Sequence, residues 1–115
     1  MIDYSVPYEL RYATYGLNKT FCCLKYKSGY YSSIIPVTKS QDIPRIFNGE
    51  TMFIIMGTLT LFKHNSVEYM LSHFTNTNNT ISDAAKIIIE EAKTNMYDNT
   101  SCVDNMSVSL LKIRG

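Results

Sequence analysis

Apolar and polar positions divide the chain into segments of two periods. From Ile81 onward, Ile81, Ala85, Ile88, Ile89, Ala92 and Met96 recur every three to four residues, which places them on one stripe of a helix. Lys86, Glu90, Glu91 and Lys93 fall mainly on the other side, and Lys86 and Glu90 form an i,i+4 pair of opposite charge. Thr80-Ile81-Ser82-Asp83 opens this helix with a capping-box pattern. Asn65-Ser66-Val67-Glu68 has a capping residue with Glu three positions on, and predicts a second helix ending near His73. The polar stretch Thr75–Thr80 is a loop between the two, and 97–103 is predicted as a loop after the second.

The remaining apolar segments are too short for helices. Thr51-Met52-Phe53-Ile54-Ile55-Met56 is a continuous run after the Asn48-Gly49 turn signal and reads as a strand buried on both faces. Phe21–Lys27 and Tyr30–Ile35 have strand composition on either side of Ser28-Gly29, and predict a hairpin. Pro36 and Pro44 bound a polar connection. At the far end Met106, Val108 and Leu110 alternate with Ser107, Ser109 and Leu111, which predicts a closing strand. The first twenty residues, interrupted by Pro7 and Gly16, show no sustained period and are expected to form an arm or an edge strand.

A chain of 115 residues with no internal repeat is expected to form one domain. Hydrophobic content of 45% and charged content of 18% are those of a globular chain, and a net charge of +1 sets up no global field toward nucleic acid or an acidic membrane. The charge is uneven. Residues 1–40 carry five Lys/Arg against Asp3 and Glu9, a balance of +3, which leaves −2 for the rest. Seven of the nine Tyr lie between Tyr4 and Tyr31. Interleaved Lys and Tyr can stack on and neutralise single-stranded nucleic acid, but such footprints are usually far more basic. Tyr is also favoured on a half-exposed sheet surface, so nucleic acid is not the expected partner. The run Met52–Phe62 is far short of the roughly 20 residues a membrane-spanning helix needs.

Candidate chemistry is sparse. Cys22, Cys23 and Cys102 make an odd count without a secretory signal, which fits reduced thiols in a cytoplasmic setting. In a strand the adjacent pair Cys22 and Cys23 point to opposite faces, and they are not a Cys-X-X-Cys redox motif. His64 and His73 lack the spacing of a zinc site and read as surface residues flanking a short helix. The five Gly are too scattered for a phosphate loop. Met52, Met56, Met70, Met96 and Met106 read as core fillers.

The order of the last elements carries a resemblance. An Ala-Ala helix at Ser82–Ala92, a polar loop, Asp104-Asn105 and a final strand resemble the C-terminal end of the type 2C metal-dependent serine/threonine phosphatases. Glu50–Lys63 is similar to the family segment with an acidic residue, a buried strand and Ala-Ser-Asp-Gly-Leu-Trp-Asp. Ala13-Thr14-Tyr15-Gly16-Leu17 is similar to its Arg-Ser-Phe-Gly-Asp. The resemblance covers nearly the whole chain but only the C-terminal half of a family domain. It implies an α+β fold: an antiparallel sheet of about four to five strands with two helices on one face, half of a phosphatase-type sandwich.

The family's chemistry does not carry over. Its metal-ligand aspartates fall on Leu17, Leu59 and Lys63, and only Asp104 stands at a ligand position. Paired hard cations need several carboxylates, so the resemblance implies a scaffold without a phosphatase site, with no cofactor and with Asp104 at most a vestigial ligand. A side-chain-to-backbone role before the last strand suits Asp104 and Asn105 better. A half-domain has a sheet face to cover. That face is expected to be polar, or to bury against a second copy or another protein, with Tyr26, Tyr30, Tyr31, Lys25 and Lys27 as the partner-binding residues. The expected function is therefore that of a catalytically inactive interaction protein. Two alternatives are a subunit completing a shared metal-dependent phosphatase site and a Tyr/Lys surface for single-stranded nucleic acid.

Overall fold

The strand expected at Thr51–Met56 is the best buried segment among the described residues. In the computed structural model, which describes residues 18–101 and 105–115, Thr51–Thr58 forms β3, and Met52, Phe53, Ile54 and Ile55 are all buried. It lies between β1 (Asn18–Lys25) and β4 (Val108–Arg114), with β2 (Ile35–Val37) outside β1. The four-stranded antiparallel sheet thus has the order β2-β1-β3-β4. Between β3 and β4 the chain passes through α1 (Leu59–His64), α2 (Val67–Thr75) and α3 (Ile81–Thr100). This is an open α+β fold, as expected, with a third helix that the sequence pattern did not announce.

The alternation of β3 feeds two cores. Phe53 and Ile55 join Cys23 under the helices, packing with Leu61 of α1, Met70, Leu71 and Phe74 of α2, and Ile88 and Ala92 of α3. On the opposite face Met52 and Ile54 join Cys22, Leu24 and Val37, with Ile43 and Ile46 of the connection after β2 packed against them. A sheet covered on both sides explains why β3 is an unbroken apolar run rather than an alternating one. The expectation that the face away from the helices is polar or left for a partner is therefore corrected at its centre. Cys22 and Met52 are at most 1% exposed there.

Five local expectations are also corrected. The hairpin forms, but its second strand is Ile35–Val37, and Tyr31 contributes only an isolated bridge to Lys25. One extra residue on that side shifts the register. Ser32 fills the gap, its amide donating to the Leu24 carbonyl and its hydroxyl accepting from the Leu24 amide. Pro36 is accommodated because β2 is an edge strand.

The cap of α2 is Ser66, not Asn65: the Ser66 hydroxyl accepts from the Tyr69 amide at 3.1 Å. Asn65 instead donates to the Leu61 carbonyl at the end of α1 and accepts from the Asn95 amide group at 2.7 Å. Helix α3 begins at Ile81 with Thr80 as cap but runs on to Thr100, where Ser101 turns left-handed (φ 61°) and its amide returns to the Tyr97 carbonyl. Its buried stripe is Ala84, Ile88, Ala92 and Met96, whereas Ile81 is 44% exposed. The closing strand starts at Val108; Met106 precedes it and packs on the helix-side core.

Candidate interaction surface

The β1–β2 turn gathers all five residues expected to bind a partner. Tyr26 donates its amide to the Tyr30 carbonyl at 2.7 Å, and Gly29 donates to the Tyr26 carbonyl at 2.9 Å. Gly29 has φ +95°, a conformation that disfavours side chains with a Cβ. The turn holds the aromatic rings outward. Tyr30 is 77% exposed, and Tyr26 and Tyr31 are exposed beside it. Tyr31 and Lys25 pair on the helix side of the sheet, with the Lys25 ammonium 5.8 Å from the Tyr31 ring centre.

Lys27 runs the other way. Its stem lies over Gly49, where an added Cβ would meet Lys27 Cγ and Cδ at 3.2 Å. This contact sets the hairpin tip against the turn 47–50. There the Phe47 amide donates to Glu50 Oε1 (2.9 Å) and the Glu50 amide to the Phe47 carbonyl (3.0 Å). Phe47 is left 63% exposed. Sequence reasoning missed this residue, although an aromatic directly before an Asn-Gly turn is a position where the ring has little to pack against. Tyr26, Tyr30 and Phe47 are thus exposed rings on two turns that the Lys27 stem brings together.

Among the described residues, the others that the sequence pointed to do not assemble into a site. Asp104 and Leu17 lie outside the described residues, as does Cys102. Leu59 opens α1 half-buried and Lys63 is exposed in its last turn. Among the described residues no group of three or more His, Cys, Asp or Glu could hold a metal ion. His73 Nε2 comes within 3.3 Å of Glu91 Oε2 without hydrogen-bond geometry, and its ring packs edge-on against Tyr69. The Tyr69 hydroxyl points to Glu91 Oε1 at 3.4 Å, and that carboxylate pushes the phenol's pKa up. These residues border a shallow groove between α2 and α3, lined by Tyr69, Glu90, Glu91, Thr94 and Asn95.

Cys22 and Cys23 point to opposite faces, as the strand period requires, and both are buried. Burial pushes the Cys22 thiol up to about 11, with Cys23 and Asp42 adding to the rise, and burial also raises Cys23. Burial and the raised pKa both disfavour the thiolate that nucleophilic chemistry needs. Asp42 is held below the ordinary carboxylate range by the Thr38 amide and hydroxyl and the Lys39 amide, which all donate to Oδ2. It closes the short 3-10 turn Ser40–Asp42 that leads into Ile43 and so positions the cover of the second core. Among the described residues no helix is long and apolar enough to cross a membrane. No protein-family model, curated protein or solved structure matches this chain.

Proposed function

We propose that the chain is a non-catalytic interaction module on a phosphatase-like scaffold, and that it binds a protein partner, or a second copy of itself, through the hairpin tip. The observation that carries this reading is the exposure of rings on two turns joined by the Lys27 stem over Gly49: Tyr30 at 77% and Tyr26 and Tyr31 on the hairpin, and Phe47 at 63% on the turn 47–50. Rigid aromatic side chains bury much area at little entropic cost, and a neighbouring cation adds directional contacts, which is why such residues dominate interface energetics. Burial of Cys22 and Met52 at the centre of the second sheet face supports the tip, rather than the whole sheet, as the proposed surface.

The non-catalytic part of the reading rests on the resemblance and on side-chain chemistry. Leu59 and Lys63 supply no oxygen ligand where the family has aspartates, and a lysine there repels a divalent cation. Two measurements test the proposal. Sedimentation velocity reads self-association of the wild type and of Tyr30→Ser/Phe47→Ser. Capture from native extract reads a heterologous partner with the same pair of proteins. Association in either assay that is lost in the folded double variant supports the reading. Equal behaviour of the two proteins in both assays, or metal-dependent hydrolysis of p-nitrophenyl phosphate by the wild type, rejects it.

A further inference from the structure

The strand register brings together three cations that are far apart in sequence. Lys25 of β1 pairs with Thr51 of β3, and Thr51 pairs with Arg114 of β4, so the three stand in one row across adjacent strands. Lys112 lies two residues along β4, opposite Phe53, on the same helix-side face. With strands about 4.8 Å apart and a rise of about 3.4 Å per residue, the three cationic stems leave the sheet within roughly 12 Å of one another.

Above them the sheet and the α2–α3 connection enclose a cleft of about 280 Å³, lined by Lys25, Thr51, Lys112 and Arg114 from the sheet and by 75–77, Asn79 and Ile81 from the connection and α3. Its floor is Phe53 against Phe74, edge to face with ring centres 5.1 Å apart.

Among the described residues the charge in this cleft is of one sign: no Asp or Glu lines it, and none of the three cations has an ion-pair partner. Two of them are pre-positioned on rings, Lys25 over Tyr31 at 5.8 Å and Lys112 over Phe53 at 5.5 Å. Such contacts hold an ammonium in place and leave its N–H groups available. Converging like charges in a partly enclosed cleft repel one another and focus a positive potential. A multiply charged oxyanion relieves both, and Arg114 can meet it with two parallel N–H groups. Thr51, between Lys25 and Arg114 in the row, adds a hydroxyl donor. The volume exceeds that of a bare phosphate, and half-exposed Ile81 offers apolar contact to whatever carries the group.

We propose that this cleft, built by Lys25, Thr51, Lys112 and Arg114, binds the phosphate group of a phosphate monoester. The site stands on its own geometry and does not depend on the hairpin-tip reading.

The test is thermal melting of the full chain in sodium phosphate against sodium chloride of equal ionic strength, with line broadening of the phosphate ³¹P signal as a second readout that does not depend on unfolding. The wild type melts several degrees higher in phosphate than in chloride and broadens the signal. Lys112→Gln/Arg114→Gln loses the gain and weakens phosphate binding about tenfold or more, while Lys93→Gln on the exposed side of α3 keeps both. The three-fold variant Lys25→Gln/Lys112→Gln/Arg114→Gln melts higher than wild type in low salt without phosphate, because the repulsion is gone. Equal melting in phosphate and chloride, or unchanged broadening by the double variant, overturns the site. Glycerol phosphate and a phosphoserine peptide then separate the sources: tighter binding of the first marks a small ester, and of the second a phosphorylated partner.

Discussion

Replacing Ile88 with Ala tests the packing on which the fold rests. Ile88 is 1% exposed and sits on α3 within the helix-side core, alongside Phe53, Ile55, Leu61, Met70 and Phe74. Truncation removes most of a fully buried side chain and leaves a void within this cluster. Such changes cost roughly 2–5 kcal/mol. With 115 residues and an unfolding entropy of roughly 2.1 cal/mol/K per residue, 1 kcal/mol corresponds to about 4 °C in melting temperature. Ile88→Ala should therefore melt about 8–20 °C below wild type. The paired control is Ile81→Ala. Ile81 belongs to the same sequence stripe but is 44% exposed, so its loss should cost less than about 1 kcal/mol, or under about 4 °C. Chemical denaturation with both circular dichroism and tyrosine fluorescence checks that each transition remains two-state. Equal costs at the two positions would refute the rotation of α3 described above, and near-zero cost at Ile88 would refute the helix-side core itself.

Other outcomes follow from single contacts. Gly57→Ala should destabilise by about 1–3 kcal/mol in urea melts, because the new Cβ would meet Leu61 Cδ2 at 2.6 Å and the Ser107 carbonyl oxygen at 2.9 Å; unchanged stability would show that α1 does not press on β3. In a Cys102→Ser background, a thiol reagent at neutral pH should label the native protein far more slowly than the urea-unfolded chain. A thiol pushed up to about 11 carries roughly 100-fold less thiolate than an ordinary one, and both cysteines are also inaccessible. Asp42→Asn should lower stability at neutral pH. Because the folded carboxyl titrates below its unfolded value, its contribution is present above about pH 4 and fades as pH falls through the lowered folded value, so wild-type and variant melting curves should converge in acid. Tyr30→Ser should leave melting within about 0.5 kcal/mol of wild type, since the ring is mostly in solvent.

What could be read from the sequence was what is local. The β3 run and the long stripe of α3 announce themselves because their apolar spacing is set by their own burial, and the α+β class follows from them. Elements whose form is decided elsewhere were harder to read. Leu59–His64 continues the apolar run of β3 and has no side-chain hydrogen bond at its cap; it is helical because Leu61 and Phe62 pack on the sheet and α3. The second hairpin strand moved downstream because the extra residue around Ser32 is absorbed by a side-chain hydrogen bond that no pattern encodes. The tyrosines and lysines of the hairpin were visible, being consecutive. Phe47 joins them only through Lys27 over Gly49, and the Lys25–Lys112–Arg114 cleft exists only through a register spanning β1, β3 and β4.

The central claim, that the hairpin tip is a binding surface, is tested most directly by comparing wild type with Tyr30→Ser/Phe47→Ser in quantitative capture from native extract, with sedimentation of both proteins alongside. One stoichiometric association, with a partner or with itself, should disappear in the variant, whose melting temperature should be unchanged. Identical capture and sedimentation of the two proteins would contradict it.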